Sequence, residues 1–210
     1  MPKFIYFPIH ARGAPIRMLL SHGNVEYEDD QCTFEQFGER KAAGEFPNGQ
    51  VPIWVQDGHY YNESKAILRF LGAQHGYYPE CIFTAHDVDA TVDYANDFIG
   101  LLYKPHMTKE HTDETKQAYV DNLTKFITHL NKKLEMSGSP FICGEKLTIA
   151  DFQVSNIIFS YIENPELGGG AEYSDKAKEL IKSNAAFCAY TERMKTELKT
   201  YLETRIKAPM

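Results

Sequence analysis

The chain has 210 residues and a net charge of −7, from 22 basic and 29 acidic residues. That length allows one large domain or two small ones, and an apolar content of 43% is enough for a buried core. The acidic balance disfavours a nucleic-acid partner, and no apolar stretch approaches the ~20 residues of a membrane span. The first residues lack the apolar region of a signal peptide. We therefore expect a cytoplasmic protein with neither a nucleic-acid nor a membrane partner.

Four cysteines are spread along the chain without a C-x-x-C pair. They are Cys32, Cys81, Cys143 and Cys188. This wide spacing argues against a zinc site, a dithiol redox motif and a disulfide scaffold. The sequence therefore predicts reduced thiols and no metal.

Strand and helix signals alternate in the first 75 residues. A short aromatic and β-branched run, Lys3 to Phe7, predicts the first strand and stops at Pro8. A helix is predicted over Pro15 to His22, with proline in its first turn and Gly23 just past its end. The next two predicted elements are a strand over Val25 to Glu28 and a helix over Phe34 to Ala43.

A β-hairpin is predicted next. Its strands are Val51 to Val55 and His59 to Tyr61, and the linking residues Gln56-Asp57-Gly58 are a strong turn signal. Pro52 stands at the mouth of the first strand, where proline usually marks an edge or a turn. Pairing of these strands would extend the sheet begun by the first strand.

Ser64 is placed to cap a third helix, Ser64 to Leu71, which Gly72 would end. The first N–H groups of such a helix favour a carboxylate or a phosphate. The resulting βαβ–α–ββα order is that of a thioredoxin-like domain. We therefore predict an α/β domain over residues 1–75, followed by a linker.

Beyond the linker the pattern is helical. Apolar residues recur on one face of a first long helix at Val88, Val92, Ala95, Ile99 and Leu102. A second helix carries Tyr119, Leu123, Phe126, Ile127, Leu130 and Leu134 in the same way. Thr148 and Asp151 form the pattern of a capping box at the start of a further helix. An all-α domain is therefore predicted over residues 83–210.

Four motifs, in order and at matching spacing, resemble the cytosolic glutathione S-transferases over essentially the whole chain. The motifs are Tyr6-Phe7-Pro8 with Arg12 and Ile16-Arg17 behind it, Gly49-Gln50-Val51-Pro52, Glu63-Ser64-Lys65-Ala66-Ile67, and Gly144 through Asp151. They are most similar to the tyrosine-type branch, which contains the sigma, pi, mu and alpha classes, and within it to the sigma class. The resemblance implies a homodimeric detoxification enzyme that uses glutathione as co-substrate and needs no other cofactor.

The resemblance also assigns catalytic roles. Tyr6 would donate its phenol hydrogen bond to the glutathione sulfur, stabilising the thiolate over the thiol. Arg12 would serve either that thiolate or the glycyl carboxylate, and the sequence leaves both roles open. Taken alone, Tyr6 would be interpreted as an ordinary packing residue, because strand tyrosines usually are. The motifs at Pro52 and Ser64 reverse that interpretation.

The residues that the resemblance assigns to glutathione surround these two. The predicted set is Tyr6, Arg12, Phe37, Lys41, Gln50, Val51, Pro52, Glu63, Ser64 and Asp97. Ser64 and Glu63 would hold the γ-glutamyl end, Gln50 and Val51 the cysteinyl backbone, and Lys41 the glycyl carboxylate. Phe37 stands where the family often has tryptophan, and Asp97 matches a position that contacts glutathione across a dimer interface. The predicted pocket for small apolar electrophiles comprises Phe7, Ile9, Leu101 and Tyr103.

The chain departs from the family pattern at two places. Glu63 stands where most tyrosine-type members have glutamine. The usual Arg-Gly-Arg-Ala-Glu run is here His10-Ala11-Arg12-Gly13-Ala14, so the acidic residue two places after Arg12 is lost. That loss leaves Arg12 and Arg17 without an ion-pair partner in the first helix.

Glutathione conjugation is the function that the resemblance favours. Two alternatives use the same fold. One is a glutathione-dependent isomerase or peroxidase, which would use the same thiolate on another acceptor. The other is a non-catalytic structural protein of the kind found in lens crystallins, against which the retention of Tyr6 and Ser64 speaks.

Overall fold

The computed structural model describes residues 1–107, 112–166 and 171–208, and the side chains of 102–107 and 171–174 lie outside that description. The strands are β1 (Lys3–Tyr6), β2 (Glu28–Gln31), β3 (Ile53–Gln56) and β4 (His59–Tyr61). The helices are α1 (Ala14–His22), α2 (Phe34–Ala42), α3 (Ser64–His75), α4 (Ile82–Met107), α5 (Asp113–Ser137), α6 (Ile149–Asn156), α7 (Ala171–Ser183), α8 (Ala185–Glu197) and α9 (Lys199–Thr204). A π-helical segment, Ile157–Ile162, continues α6.

The four strands form one sheet in the order β2-β1-β3-β4. Strand β1 pairs in parallel with β2 and antiparallel with β3. Strands β3 and β4 form the predicted hairpin, although β3 begins at Ile53 rather than at Val51 and includes Gln56. Asp57 and Gly58 in its turn both have positive φ, at 52° and 79°, as a two-residue hairpin loop requires. The predicted thioredoxin-like α/β domain followed by helices is confirmed.

The prediction for the second strand was wrong in position. The strand is Glu28–Gln31 rather than Val25 to Glu28. It lies at the edge of the sheet, where a polar strand is tolerated because only one side of it is paired. Its acids face arginines, with Asp29 paired to Arg17 and Asp30 to Arg40. The apolar residues just before it pack on the core from a loop.

Helix α3 continues one turn beyond the predicted end at Gly72. It ends at His75, and Gly76 closes it with a left-handed φ of 82°. Gly72 lies inside the helix. A glycine is needed there because a Cβ would overlap the Ile149 side chain of α6. Gly72 is therefore required by packing between the two predicted domains and does not mark a helix end.

The helical part has the predicted apolar faces. Val88, Val92 and Ala95 of α4 are fully buried and Ile99 is half-buried, while the side chain of Leu102 lies outside the described residues. The six predicted residues of α5 are buried as well. At the start of α6 the Thr148 N–H donates to Asp151 Oδ2 at 2.8 Å, which is the predicted capping bond. Across the described parts of the chain, no helix offers a stretch that is both long and apolar enough to cross a membrane.

Candidate functional site

A cavity of about 550 Å³ opens where the end of β1 faces α4 and the π-helical segment. Its lining residues are Tyr6, Phe7, Ile9, Ala11, Arg12, Phe34, Asn96, Asp97, Ile99, Gly100 and Tyr161. Both predicted domains contribute to this lining. Five predicted site residues therefore meet at one cavity, and they are Tyr6, Phe7, Ile9, Arg12 and Asp97.

Tyr6 lies at the C-terminal end of β1, with only 5% of its surface exposed. Its Oη accepts a hydrogen bond from the Arg12 backbone N–H at 3.3 Å. Its ring lies against Gly13, where a Cβ would overlap the ring carbons. A glycine at this position therefore leaves room for the Tyr6 ring at the start of α1.

Arg17 organises the chain between β1 and α1. Its guanidinium donates to the Ile9 carbonyl at 2.9 Å and to the Phe7 carbonyl at 3.3 Å. It also forms a two-point ion pair with Asp29, with Nε and Nη2 each 3.0 Å from a carboxylate oxygen. The sequence prediction placed no acidic partner in the first helix, and the structure supplies one from edge strand β2 instead. Correct placement of β2 beside β1 would have revealed this pair.

Ala11 has an uncommon backbone conformation for a residue with a side chain, with φ at 29°. The family pattern has glycine at this position, which adopts positive φ without strain. Asn156, at the end of α6, donates from Nδ2 to the Ala11 carbonyl at 2.9 Å. No sequence pattern signals this contact, because the two residues are 145 positions apart.

His10 precedes Ala11 in the same loop and is buried, with 1% of its surface exposed. Burial, together with the nearby positive charges of Arg205 and Arg17, lowers the pKa of His10 to about 4. The imidazole is therefore neutral at pH 7.

The burial of neutral His10 makes folding pH-dependent. In the unfolded chain His10 regains a pKa near 6.5, so between pH 6.5 and 4 the unfolded chain binds a proton that the folded chain does not. The contribution is fully present above pH 6.5, and about 3 kcal/mol of unfolding free energy should be lost by pH 4. Denaturant unfolding at several pH values measures this loss.

Two variants isolate the contribution of His10. His10→Leu should lose markedly less stability than the wild type over this pH range. His86→Gln removes an exposed histidine and should retain the wild-type pH dependence. Parallel pH profiles for wild type and His10→Leu would contradict the prediction.

The Val51–Pro52 peptide bond is cis. Pro52 is buried, Val51 is half-buried and Gln50 is exposed. These three residues precede β3 and lie outside the lining of the Tyr6 cavity. Their assignment to glutathione remains a prediction.

Ser64 does not cap α3 as predicted. It is the first helical residue, and Glu63 takes the capping position with a left-handed φ of 66°. Because the chain enters the helix through this turn, the Ser64 N–H belongs to the first turn, whose N–H groups have no acceptor within a helix. Side-chain hydroxyl and backbone N–H groups therefore occur together at this helix start.

Phe37 and Lys41 lie along α2 beside the cavity. The Phe37 ring contacts the Phe7 ring edge-on at 5.2 Å, and the Lys41 ammonium lies 5.7 Å from the Phe37 ring centre. Lys41 also packs against Gly49, just before the cis-proline segment. Phe37 thus connects the helix that carries Lys41 to the cavity wall.

The remaining predicted residues lie in α4. Asp97 lines the cavity of its own chain, and its predicted contact across a dimer interface stays a prediction. Leu101 is half exposed, faces solvent and lies outside the lining. The side chain of Tyr103 lies outside the described residues. In the described ranges, His, Cys, Asp and Glu side chains form no group of three or more that could hold a metal.

Three residues of the cavity lining were not predicted from the sequence. Phe34, at the start of α2, is 70% exposed and stacks on Phe7 with ring centres 4.3 Å apart. Tyr161 reaches the cavity from the π-helical segment, and π-helical turns often occur at functional sites. Asn96 lies beside Asp97 on α4. Local sequence patterns do not distinguish such residues from ordinary surface and core positions.

Known protein families match both the N-terminal and the C-terminal part of the chain. The family model for the N-terminal domain of glutathione S-transferases matches residues 2–73, and the model for their C-terminal domain matches residues 92–205. The protein called glutathione S-transferase 2 of Caenorhabditis elegans is 31% identical over 76% of this chain and 88% of its own length. Glutathione S-transferase 2 of Manduca sexta is 29% identical over 91% of this chain and 97% of its own.

Solved structures show the same architecture. A Nu-class glutathione S-transferase from Haemonchus contortus superimposes with a TM-score of 0.84, covering 100% of this chain and 98% of its own. Its sequence identity is 24%, so this likeness shows the fold alone.

Proposed function

Because the chain belongs to the glutathione S-transferase family, we propose that it stabilises the glutathione thiolate at Tyr6 and transfers it to small apolar electrophiles. The observation that carries this proposal is the position of Tyr6. Its buried ring holds a hydroxyl on the wall of the cavity, and that hydroxyl already accepts the Arg12 N–H. A hydroxyl that accepts one hydrogen bond is polarised and becomes a better donor for the next.

One hydrogen bond is strong enough for this role. Lowering a thiol pKa from ~8.5 to ~6.5 requires about 2.7 kcal/mol of preference for the thiolate. A hydrogen bond to a charged group supplies roughly 1.5–3 kcal/mol. Tyr6 therefore accounts for most of the ionisation. Because a less basic thiolate is also less nucleophilic, ionisation alone gives only about threefold in rate, and the rest must come from holding the electrophile beside the sulfur.

We assign the Arg12 side chain to the reacting sulfur rather than to the glycyl carboxylate. Arg12 lines the same cavity as Tyr6, and its backbone N–H contacts the Tyr6 hydroxyl. A guanidinium at this wall favours a negative charge on the sulfur. Lys41, on the outer side of Phe37, is better placed for the glycyl carboxylate.

The aromatic rings at the cavity support an apolar, flat electrophile. The Phe7 ring lies between Phe34 and Tyr6, at 4.3 Å and 5.6 Å between ring centres. Ile9 and Ile99 add aliphatic surface to the same wall. An aromatic electrophile stacked there would lie close to the Tyr6 hydroxyl and hence to the thiolate.

Ser64 supplies the test of glutathione recognition. Ser64→Ala should weaken glutathione binding about 10- to 100-fold, because it removes one hydrogen bond to the γ-glutamyl carboxylate. Turnover at saturating glutathione should change far less, since Ser64 lies outside the Tyr6 cavity. Calorimetry of glutathione binding and conjugation of a chromogenic aryl halide measure the two quantities.

Thr112→Ala is the matched control, because it removes a hydroxyl at the start of α5. It should leave glutathione affinity unchanged. Equal affinities for Ser64→Ala and wild type would contradict the assigned glutathione site. In the wild type, tight binding without conjugation would favour an isomerase or peroxidase, and no binding would favour a structural protein on this fold.

We also propose a homodimer, a cytoplasmic location and a place in the tyrosine-type branch. Exposed apolar side chains on α4 support the dimer, because Ile82 and Phe83 are 75% and 81% exposed. The position of Tyr6 at the end of β1 supports membership of the tyrosine-type branch. The sigma class and a detoxification role rest on the sequence motifs, and relatives of other classes share the fold.

A further inference from the structure

Asn156 connects the helical part of the chain to the catalytic loop. It is fully buried at the end of α6, and its Nδ2 donates to the Ala11 carbonyl at 2.9 Å. The Ala11 carbonyl and the Arg12 N–H belong to one planar peptide group. That same Arg12 N–H donates to Tyr6 Oη. A single rigid unit is thus held by Asn156 at one end and touches the catalytic hydroxyl at the other.

The conformation of Ala11 makes this restraint necessary. Its φ of 29° lies in a region that residues with a side chain seldom occupy unless the surroundings enforce it. Relaxation of Ala11 towards negative φ would rotate the Ala11–Arg12 peptide and carry the Arg12 N–H away from Tyr6. Asn156 opposes that rotation by fixing the carbonyl end.

The bond to Ala11 also has an electronic effect. Donation to a peptide carbonyl polarises the N–H at the other end of the same group, because hydrogen bonds in a chain strengthen one another. The chain here runs from Asn156 through the Ala11–Arg12 peptide to the Tyr6 hydroxyl. Each link increases the ability of that hydroxyl to donate to a sulfur in the cavity.

We propose that Asn156 is a positioning residue for thiolate formation, acting through the Ala11–Arg12 peptide on the hydroxyl of Tyr6. The inference rests on the proposed function, because it assigns Asn156 to the same thiolate. It extends the active site to a side chain that does not line the cavity.

A contribution to stability alone does not explain why an asparagine is buried at position 156. Its Oδ1 is buried and meets no hydrogen-bond donor among the described residues. A branched apolar residue of similar shape would avoid burying that oxygen. Asn156→Leu is therefore expected to fold and keeps the test interpretable where Asn156→Ala is unstable.

The test measures the apparent pKa of bound glutathione from thiolate ultraviolet absorbance, in full-length protein. Asn156→Leu should raise this pKa by about one unit and lower kcat/KM about threefold below the pKa, because the tenfold loss of thiolate is partly offset by the higher nucleophilicity of the more basic sulfur. Glutathione affinity should stay within about twofold, because Asn156 contacts no proposed glutathione ligand. An unchanged pKa in folded Asn156→Leu would overturn the inference.

Two further variants separate positioning from general stability. Asn131 is another buried asparagine, and its Oδ1 accepts the Phe187 N–H at 3.0 Å, away from the cavity. Asn131→Ala should lower the melting temperature without changing the thiol pKa. In a Tyr6→Phe background, Asn156→Leu should cause no further shift, because the hydroxyl it positions is gone. A full additional shift in that background would overturn the inference.

The wild-type value separates the two proposals. A wild-type pKa near ~8.5, the value of a free thiol, would remove the proposed thiolate function and this inference with it. A wild-type pKa near ~6.5 that Asn156→Leu leaves unchanged would remove only the role of Asn156.

Discussion

Tyr6→Phe is expected to lower turnover about tenfold below about pH 6 and about threefold near pH 7, because the loss of thiolate is partly offset by the higher nucleophilicity of the more basic sulfur. The ring stays against Gly13, so the variant should fold normally. The apparent pKa in the pH–rate profile should move upward, because the thiolate loses its donor. Glutathione affinity should change little, since the proposed anchors at Ser64 and the cis-proline segment are untouched.

Tyr60→Phe is the matched control. Tyr60 is a half-exposed tyrosine of β4, so the change removes a phenol hydroxyl without touching the cavity. Its pH–rate profile should match the wild type. A Tyr6→Phe profile that also matched the wild type would exclude Tyr6 from thiolate stabilisation.

Arg17→Ala should lower the free energy of unfolding more than Arg40→Ala does. The Arg17 guanidinium is 6% exposed and bonds to Asp29 and to the carbonyls of Phe7 and Ile9. The cost should lie at the lower end of the range for a buried ion pair, about 3 kcal/mol, because Asp29 is itself 24% exposed while the two loop carbonyls also lose their donor. The free energy of unfolding in urea measures the loss. Activity should fall as well, because Arg17 fixes the loop that leads from Tyr6 to α1.

Arg40→Ala provides the comparison for Arg17. Arg40 also bonds two carboxylates, those of Asp30 and Glu45, but its side chain is 23% exposed and holds no loop carbonyl. Arg40→Ala should lower the free energy of unfolding by about 1 kcal/mol, closer to the cost of losing a surface ion pair. Equal destabilisation by the two variants would show that the loop contacts of Arg17 contribute nothing.

Local sequence patterns were sufficient to predict the elements in which apolar residues recur at a regular spacing or a turn signal is present. Strand β1, the hairpin and helix α5 have regular apolar spacing or a definite turn signal, and the structure confirms them. Strand β2 was misplaced because its partner, not its composition, makes Glu28–Gln31 a strand. The end of α3 was missed because Gly72 is a glycine for packing against Ile149, a contact between distant elements.

In the candidate site, too, short motifs were recognisable in the sequence and long-range contacts were not. Motif residues such as Tyr6 and Arg12 were identified, and the structure brings them to one cavity. The residues that hold them in place were not identified, because they depend on contacts between distant parts of the chain. Asp29 reaches Arg17 from a neighbouring strand, and Asn156 reaches Ala11 from another helix. No short-range spacing encodes such pairs.

The most direct test of this account is the ionisation of glutathione bound to the wild-type protein, followed by thiolate absorbance as the pH is changed. Stabilisation of the thiolate by Tyr6 predicts an apparent thiol pKa of about 6–7, well below the ~8.5 of a free thiol. Bound glutathione that ionises with a pKa of ~8.5 or above would contradict it, because the Tyr6 hydroxyl would then not be stabilising a thiolate.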